Sequence, residues 1–266
     1  MSDAVIVIED LVRCFGAITA VDHLSFEVAA GSVCGLIGRN GAGKSTVIKI
    51  LTTLLPATSG SARVCGHDVE REPMRVRRAI GYVPQALSAD AELTGYENLL
   101  VMAKLYDVPR KQRAVRIREA LRRGGLEHAS ARLVRTYSGG MIRSLEIAQS
   151  TLHEPRVLFL DEPTVGLDPL ARKMVWDHID ELKASARCTI LVTTHYMDEA
   201  ERLCDRIAIL HRGRLAALGS PTELERSIGA SATLEGVFAH YTESEPETAE
   251  AYDETSRTRR VAQRLG

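Results

Sequence analysis

The chain has 266 residues, a hydrophobic fraction of 45% and a formal net charge of -1. That is enough apolar material for one large domain, or a domain with a subdomain. The even charge balance argues against a nucleic-acid binder, which usually carries a basic surplus. The five cysteines (Cys14, Cys34, Cys65, Cys188, Cys204) are odd in number and lack C-x-x-C spacing. They read as small buried residues of a reducing compartment, not as disulfides or a zinc site. Asp3, Glu9 and Asp10 stand near the start with no basic stretch before an apolar one, so no signal peptide is expected. No apolar run approaches the ~20 residues that cross a bilayer. The chain is expected in the cytoplasm, with any membrane role supplied through a partner.

In chain order, Val5 to Ile8 and Leu24 to Val28 read as short strands of an N-terminal sheet. Val33 to Ile37 is a continuous apolar run that feeds a Gly-rich loop. A helix is expected from about Gly43 to Leu54, with Val47, Ile48, Ile50, Leu51 and Leu54 apolar. Gly60 to Val64 and Ile80 to Val83 read as strands. Thr94-Gly95-Tyr96-Glu97 is a capping box that opens a helix. Arg110 to Arg123 is charged and helical, closed by Gly124-Gly125. A third helix is expected after Ser138. The block from about 86 to 150 carries no strand signal and reads as a helical subdomain inserted into an α/β core.

The α/β rhythm then resumes. Arg156 to Leu160 and Thr189 to Thr193 read as buried parallel strands. Asp168-Pro169 supplies an N-cap and a first-turn proline for a helix toward Ala184. Arg206 to Leu210, Gly213 and Leu215 to Leu218 read as a hairpin. Ser220-Pro221-Thr222-Glu223 caps a last short helix. From 241 to 266 the chain turns acidic and then basic, with Pro246 and few large apolar residues, and is expected to be disordered. No internal repeat is apparent.

Three segments carry chemistry. Gly38-Arg39-Asn40-Gly41-Ala42-Gly43-Lys44-Ser45, followed by Thr46, fits the phosphate-binding pattern G-x-x-x-x-G-K-[ST]. Its glycines let successive backbone N–H groups point at phosphate oxygens, and the helix behind adds its positive end. Lys44 can reach the β- and γ-phosphates, and the Ser45 hydroxyl can ligate Mg2+. Asp161 and Glu162 end an apolar strand and so emerge at the carboxyl edge of the sheet. One carboxylate can hold Mg2+ while the other takes a proton from attacking water. Ser138-Gly139-Gly140, also set before a helix, can present N–H groups to a second anion.

Together these segments resemble the ATP-binding-cassette (ABC) ATPases over roughly residues 5 to 240, a single ATP-binding domain. Tyr137 to Met141, Leu145-Glu146-Ile147-Ala148, Phe159 to Thr164, Thr193 to Ala200 and Leu234 to Phe238 are most similar to ATP-binding subunits of the daunorubicin-resistance exporter type. The family usually has Gln where Met141 stands and Leu where Tyr137 stands, departures that mark a subfamily. The resemblance implies a P-loop NTPase (RecA-like) α/β core with an N-terminal antiparallel β subdomain and an inserted α-helical subdomain.

It also implies roles. Asp161 is the metal-side residue and Glu162 the general base. Gln85 matches the loop glutamine that touches Mg2+ and the attacking water; it could also be only a loop glutamine. His195 matches the switch histidine near the γ-phosphate, or is structural. Phe15 matches the aromatic that stacks on adenine, or is plain sheet core. Asp168 matches the family's D-loop, or is only an N-cap, or both. Ser138, Gly139 and Gly140 would close over the ATP of a second, head-to-tail cassette.

The implied function is ATP hydrolysis, with ATP and Mg2+, driving a separate integral-membrane permease at the cytoplasmic face of the cell membrane, as one of two identical subunits and without nucleic acid. Other readings are a soluble ABC ATPase acting on nucleic acid or ribosomes, an importer ATPase, and a regulatory module without turnover. Soluble ABC proteins typically carry two cassettes or a long coiled coil; here one cassette is present, with about ninety residues between Lys44 and Ser138.

Overall fold

A computed structural model describes residues 4–184, 188–229 and 231–242. Strands β1 (Ala4–Phe15) and β2 (Ile18–Ala29) form a long antiparallel hairpin. Both run well beyond the short segments expected. They alternate buried and exposed residues, and only their continuous apolar stretches stood out in sequence. With β4 (Ser59–Val64) and β5 (His67–Asp68) they make a four-stranded sheet ordered β2-β1-β4-β5.

Strand β3 (Val33–Ile37) starts the second sheet and leads through the Gly-rich loop into helix α1 (Lys44–Leu51). That helix stops three residues before the expected Leu54. Thr53 takes a left-handed backbone conformation, with φ +64, and Leu54 is exposed. Helix α2 (Pro73–Ala79) precedes β6 (Ile80–Val83). The helical block follows: α3 (Gly95–Leu105), α4 (Arg110–Arg123) and α5 (Gly139–Thr151). Its one β feature among the described residues is an isolated bridge, Thr94 to Leu133. Thr94 and Glu97 form the reciprocal capping box that opens α3.

Strand β7 (Val157–Asp161), helix α6 (Pro169–Ala184), strand β8 (Thr189–Thr194), helix α7 (Met197–Leu203) and the hairpin β9 (Arg206–His211) and β10 (Arg214–Gly219) complete the second sheet. Its order is β10-β9-β3-β8-β7-β6; all pairings are parallel except β9 with β10. Helix α8 (Pro221–Ile228) has the Ser220–Glu223 capping box. It is not the last helix: α9 (Leu234–Thr242) follows, and runs two residues past the boundary expected at 240. The rest of the expected tail lies outside the described residues.

Three apolar clusters hold the parts together. One joins the antiparallel sheet, α1 and a face of the parallel sheet through Ile6, Leu36, Ile48 and Phe159. The second covers the opposite face with α6 to α9 through Val175, Ile179, Leu203 and Leu234. The third lies within α3, α4 and α5 around Leu99, Ile117 and Leu145. The helical block thus has its own core, as expected of an inserted subdomain.

Strand order decides where chemistry can occur. Strands β3, β6, β7 and β8 run parallel, so all four deliver their following residues to one edge. Those residues are the Gly-rich loop, Gln85, the Asp161–Glu162 pair and His195.

Candidate active site

The Gly-rich loop wraps the end of β3. Gly43 adopts φ +104, and a Cβ there would collide with the Ala20 carbonyl of β2, so only glycine lets the loop sit against the hairpin. The Gly213 N–H in the β9–β10 turn donates to Ala42 O at 3.1 Å and braces the other side. Gly38 is buried, while Arg39, Asn40 and Gly41 are exposed. The Lys44 ammonium is turned back under the loop, donating to Gly38 O at 2.8 Å and Arg39 O at 3.4 Å. Lys44, Ser45 and Thr46 form the first turn of α1, where backbone N–H groups have no partner within the helix.

Two adjacent strand residues normally point to opposite faces. Asp161 and Glu162 nevertheless converge on Lys44 and Ser45. The chain leaves the β conformation at Glu162, whose φ is +48. Its N–H is held by Thr193 O at 3.1 Å and Thr193 Oγ1 at 2.9 Å. Thr193 Oγ1 also donates to Asp161 Oδ1 at 2.6 Å, and Ser45 Oγ donates to the same oxygen at 3.1 Å. Asp161 and Glu162 are both buried.

Glu162 is the hub. Lys44 Nζ lies 3.3 Å from Oε1, and Gln85 Nε2 donates to Oε2 at 3.0 Å. His195 Nδ1 lies 3.4 Å from Oε1, its ring half-buried against Tyr196. Residues from three separate stretches of sequence therefore meet on one carboxylate.

Ser138, Gly139 and Gly140 stand apart from this cluster. No hydrogen bond among the described residues links them to 38–46. Ser138 and Gly139 are exposed, and Ser138 caps α5 by accepting from Met141 N–H at 3.3 Å. The tip of α5 instead packs beside the loop before α6, with Gly139 facing Leu167 and Gly140 facing Ala171. Asp168 is exposed and its Oδ1 accepts from Ala171 N–H at 2.9 Å, so it is the N-cap of α6. Phe15 is 44% exposed at the hairpin end, not part of the sheet core, and the Arg13 guanidinium lies over its ring at 4.5 Å. It pairs with Ile18, two residues before the Ala20 carbonyl that touches Gly43.

Known proteins resemble this chain in sequence and in fold. The ABC transporter family model matches residues 21–165. The daunorubicin/doxorubicin resistance ATP-binding protein DrrA of Streptomyces peucetius is 48% identical over 221 residues, 83% of this chain and 67% of that protein. The chain belongs to the ABC transporter ATP-binding family. Members of this family hydrolyse ATP to power transport. The Nod factor export ATP-binding protein I of Ralstonia nicotianae is 40% identical over 223 residues, 84% of this chain and 69% of that protein. A solved ATP-binding subunit of an ABC transporter superposes with TM-score 0.79 at 32% identity, covering 89% of this chain and 99% of that one. Among the described residues of this ABC ATPase, no helix is long and apolar enough to cross a membrane.

Sequence reasoning gave no role to several residues that build the site of this ABC ATPase, although Glu146, Thr193 and Glu199 stand in segments named above. Thr193 holds the Asp161 carboxylate and the Glu162 N–H; its signal was a polar residue inside an apolar strand. Glu199 on α7 is fully buried and accepts from Thr164 Oγ1 at 2.9 Å and Trp176 Nε1 at 3.0 Å, tying the segment after Glu162 to α6 and α7. Burial raises its carboxyl above the ordinary glutamate value. Arg143 and Glu146 form a buried pair at 2.9 Å on α5, visible in sequence only as an i,i+3 spacing.

Proposed function

We propose that the chain is the ATP-hydrolysing subunit of a two-component exporter. Two copies pair head to tail, each closing its Ser138-Gly139-Gly140 segment over the ATP of the other, and together they drive a separate membrane permease at the cytoplasmic face. The observation that carries the catalytic part is the meeting of Lys44, Gln85 and His195 on the Glu162 carboxylate. The printed names of the relatives, resistance and export proteins, support the exporter class.

In this reading the N–H groups of 38–46 and the Lys44 ammonium hold the β- and γ-phosphates. Phe15 stacks on adenine, as its exposed ring beside the loop allows. Glu162 takes the proton of the attacking water as that oxygen bonds the γ-phosphorus and the ADP oxygen leaves. Gln85 orients the water, and His195 donates toward the γ-phosphate. The hard oxygens of Ser45 and Asp161, 3.1 Å apart, suit Mg2+ and would hold it with phosphate and water, Gln85 standing beside them. Bound there, the ion would neutralise charge on the transferring phosphoryl group. Asp168, exposed beside the tip of α5 that carries the Ser138-Gly139-Gly140 signature, would contact the second copy.

The test is mass spectrometry of proteins that co-purify with a tagged full chain from detergent-solubilised membranes. A polytopic membrane protein is expected. Recovery of ribosomal proteins in its place would contradict the transporter reading.

A further inference from the structure

Residues 84–89, half-buried or exposed, leave β6 with no strand or helix to offer their backbone groups partners. Two side chains of α5 provide them. Arg143 Nη1 donates to Pro84 O at 2.7 Å, and Nη2 donates to Gln85 O at 2.7 Å. Glu146 Oε1 accepts from Ser88 N–H, from Ser88 Oγ at 3.0 Å and from Ala89 N–H at 3.2 Å. The pair is closed by Arg143 Nη1 to Glu146 Oε2 at 2.9 Å, with side chains 4% and 1% exposed. The planar guanidinium suits this task, because its fork spans two successive carbonyls that a lysine ammonium cannot fix together.

The clamp has a particular position. Arg143 stands five residues after Ser138 on one rigid helix, so ~7.5 Å of helix separates the clamp from the signature tip. On its other side it holds Gln85, whose side chain reaches Glu162 at 3.0 Å. Buried ion pairs are poor sources of stability but can fix register between elements. We propose that Arg143 and Glu146 are positioning residues for hydrolysis. They bolt the 84–89 strap to α5, so that the helix whose tip faces the second copy's nucleotide also sets Gln85 on its own subunit's Glu162. This rests on the functional reading above. Engagement of one site is thereby transmitted, through a single helix, to the water-orienting residue of the other.

The experiment is a double-mutant cycle on full-length protein, with steady-state ATPase and equilibrium binding of a fluorescent ATP analogue. Arg143→Lys and Glu146→Gln are each made in the wild-type and in the Gln85→Ala background. A misplacement of about 1 Å can cost as much as a hundredfold in rate, so kcat is expected to fall by roughly tenfold or more while nucleotide Kd stays unchanged. In the Gln85→Ala background the same substitutions should change kcat little, because the residue they position is gone. If removing charge unfolds the protein, Arg143→Met with Glu146→Leu replaces the pair by apolar volume and is expected to fold with the same loss of kcat. Equal losses in both backgrounds, or no loss in either, would overturn the proposal while leaving the ATPase reading intact. Absence of turnover in the wild type would sink that reading, and the clamp with it.

Discussion

Glu162 stands in a left-handed backbone conformation, at φ +48, that costs a non-glycine residue ~1–2 kcal/mol. The cost is offset by three surroundings: Thr193 on its N–H, and Lys44 and Gln85 on its carboxylate. A second residue under tension is His178 on α6. It is 2% exposed, its Nδ1 has no partner among the described residues, and burial, aided by Arg123, lowers its pKa from 6.5 to about 4. Its folded pKa lies below the unfolded one, so as pH falls through 6.5 the unfolded chain takes the proton first. Stability is lost from there down to about 4, where the folded protein also titrates. By pH 5 this one group should remove roughly 2 kcal/mol relative to pH 7. Urea unfolding of wild type and His178→Leu at both pH values measures it. The variant should show a smaller drop by about that amount, and equal drops would mean that His178 does not titrate as its burial dictates. The motif residues of the site were legible in sequence because each motif is contiguous. Thr193, Arg143, Glu146 and Glu199 were not, because their partners on other elements lie 23 to 59 residues away along the chain.

At the scale of elements, legibility followed the strength of the local signal. Strands β3 and β6 and helix α4 have the expected bounds, since each is a continuous apolar run or a long charged helix between clear stops. Helices α2 and α7 went unread. Each is seven residues long, too short for periodicity to emerge, and α2 buries only Val76 among its apolar residues. Close approach of helices left its mark as glycine. A Cβ on Gly140 would lie 2.8 Å from Ala171 Cβ and 3.1 Å from its Cα, whereas one on Gly139 would meet only the flexible Leu167 side chain at 3.0 Å. Gly→Ala in a helix gains up to about 1 kcal/mol in propensity, but overpacking costs about 1–3 kcal/mol. Gly140→Ala should therefore lower the melting temperature by several degrees while Gly139→Ala leaves it near wild type. Matching melting temperatures would show that α5 and α6 can separate freely.

On the scale of the molecule, two bodies meet at one edge. The parallel sheet supplies the loop, the carboxylates and His195, and the helical block supplies Ser138-Gly139-Gly140 and the grip on Gln85. Within one chain the signature tip is exposed and makes no hydrogen bond to the Gly-rich loop among the described residues. In the proposed reading the tip serves a second copy rather than its own loop. Glu162→Gln keeps the shape but cannot take the proton, and should lower hydrolysis by about 10²-fold or more. Ser138→Arg should block the interface while leaving the chain's own loop able to bind nucleotide. Each variant alone should be nearly inactive. In a head-to-tail pair of one of each, one site combines the intact loop and base of the Ser138→Arg copy with the intact signature of the Glu162→Gln copy. Single-turnover hydrolysis of labelled ATP by an equimolar mixture of the two folded variants is the most direct test. The pairing predicts a burst of ADP that neither variant gives alone; ADP no greater than the sum of the two separate variants would contradict it.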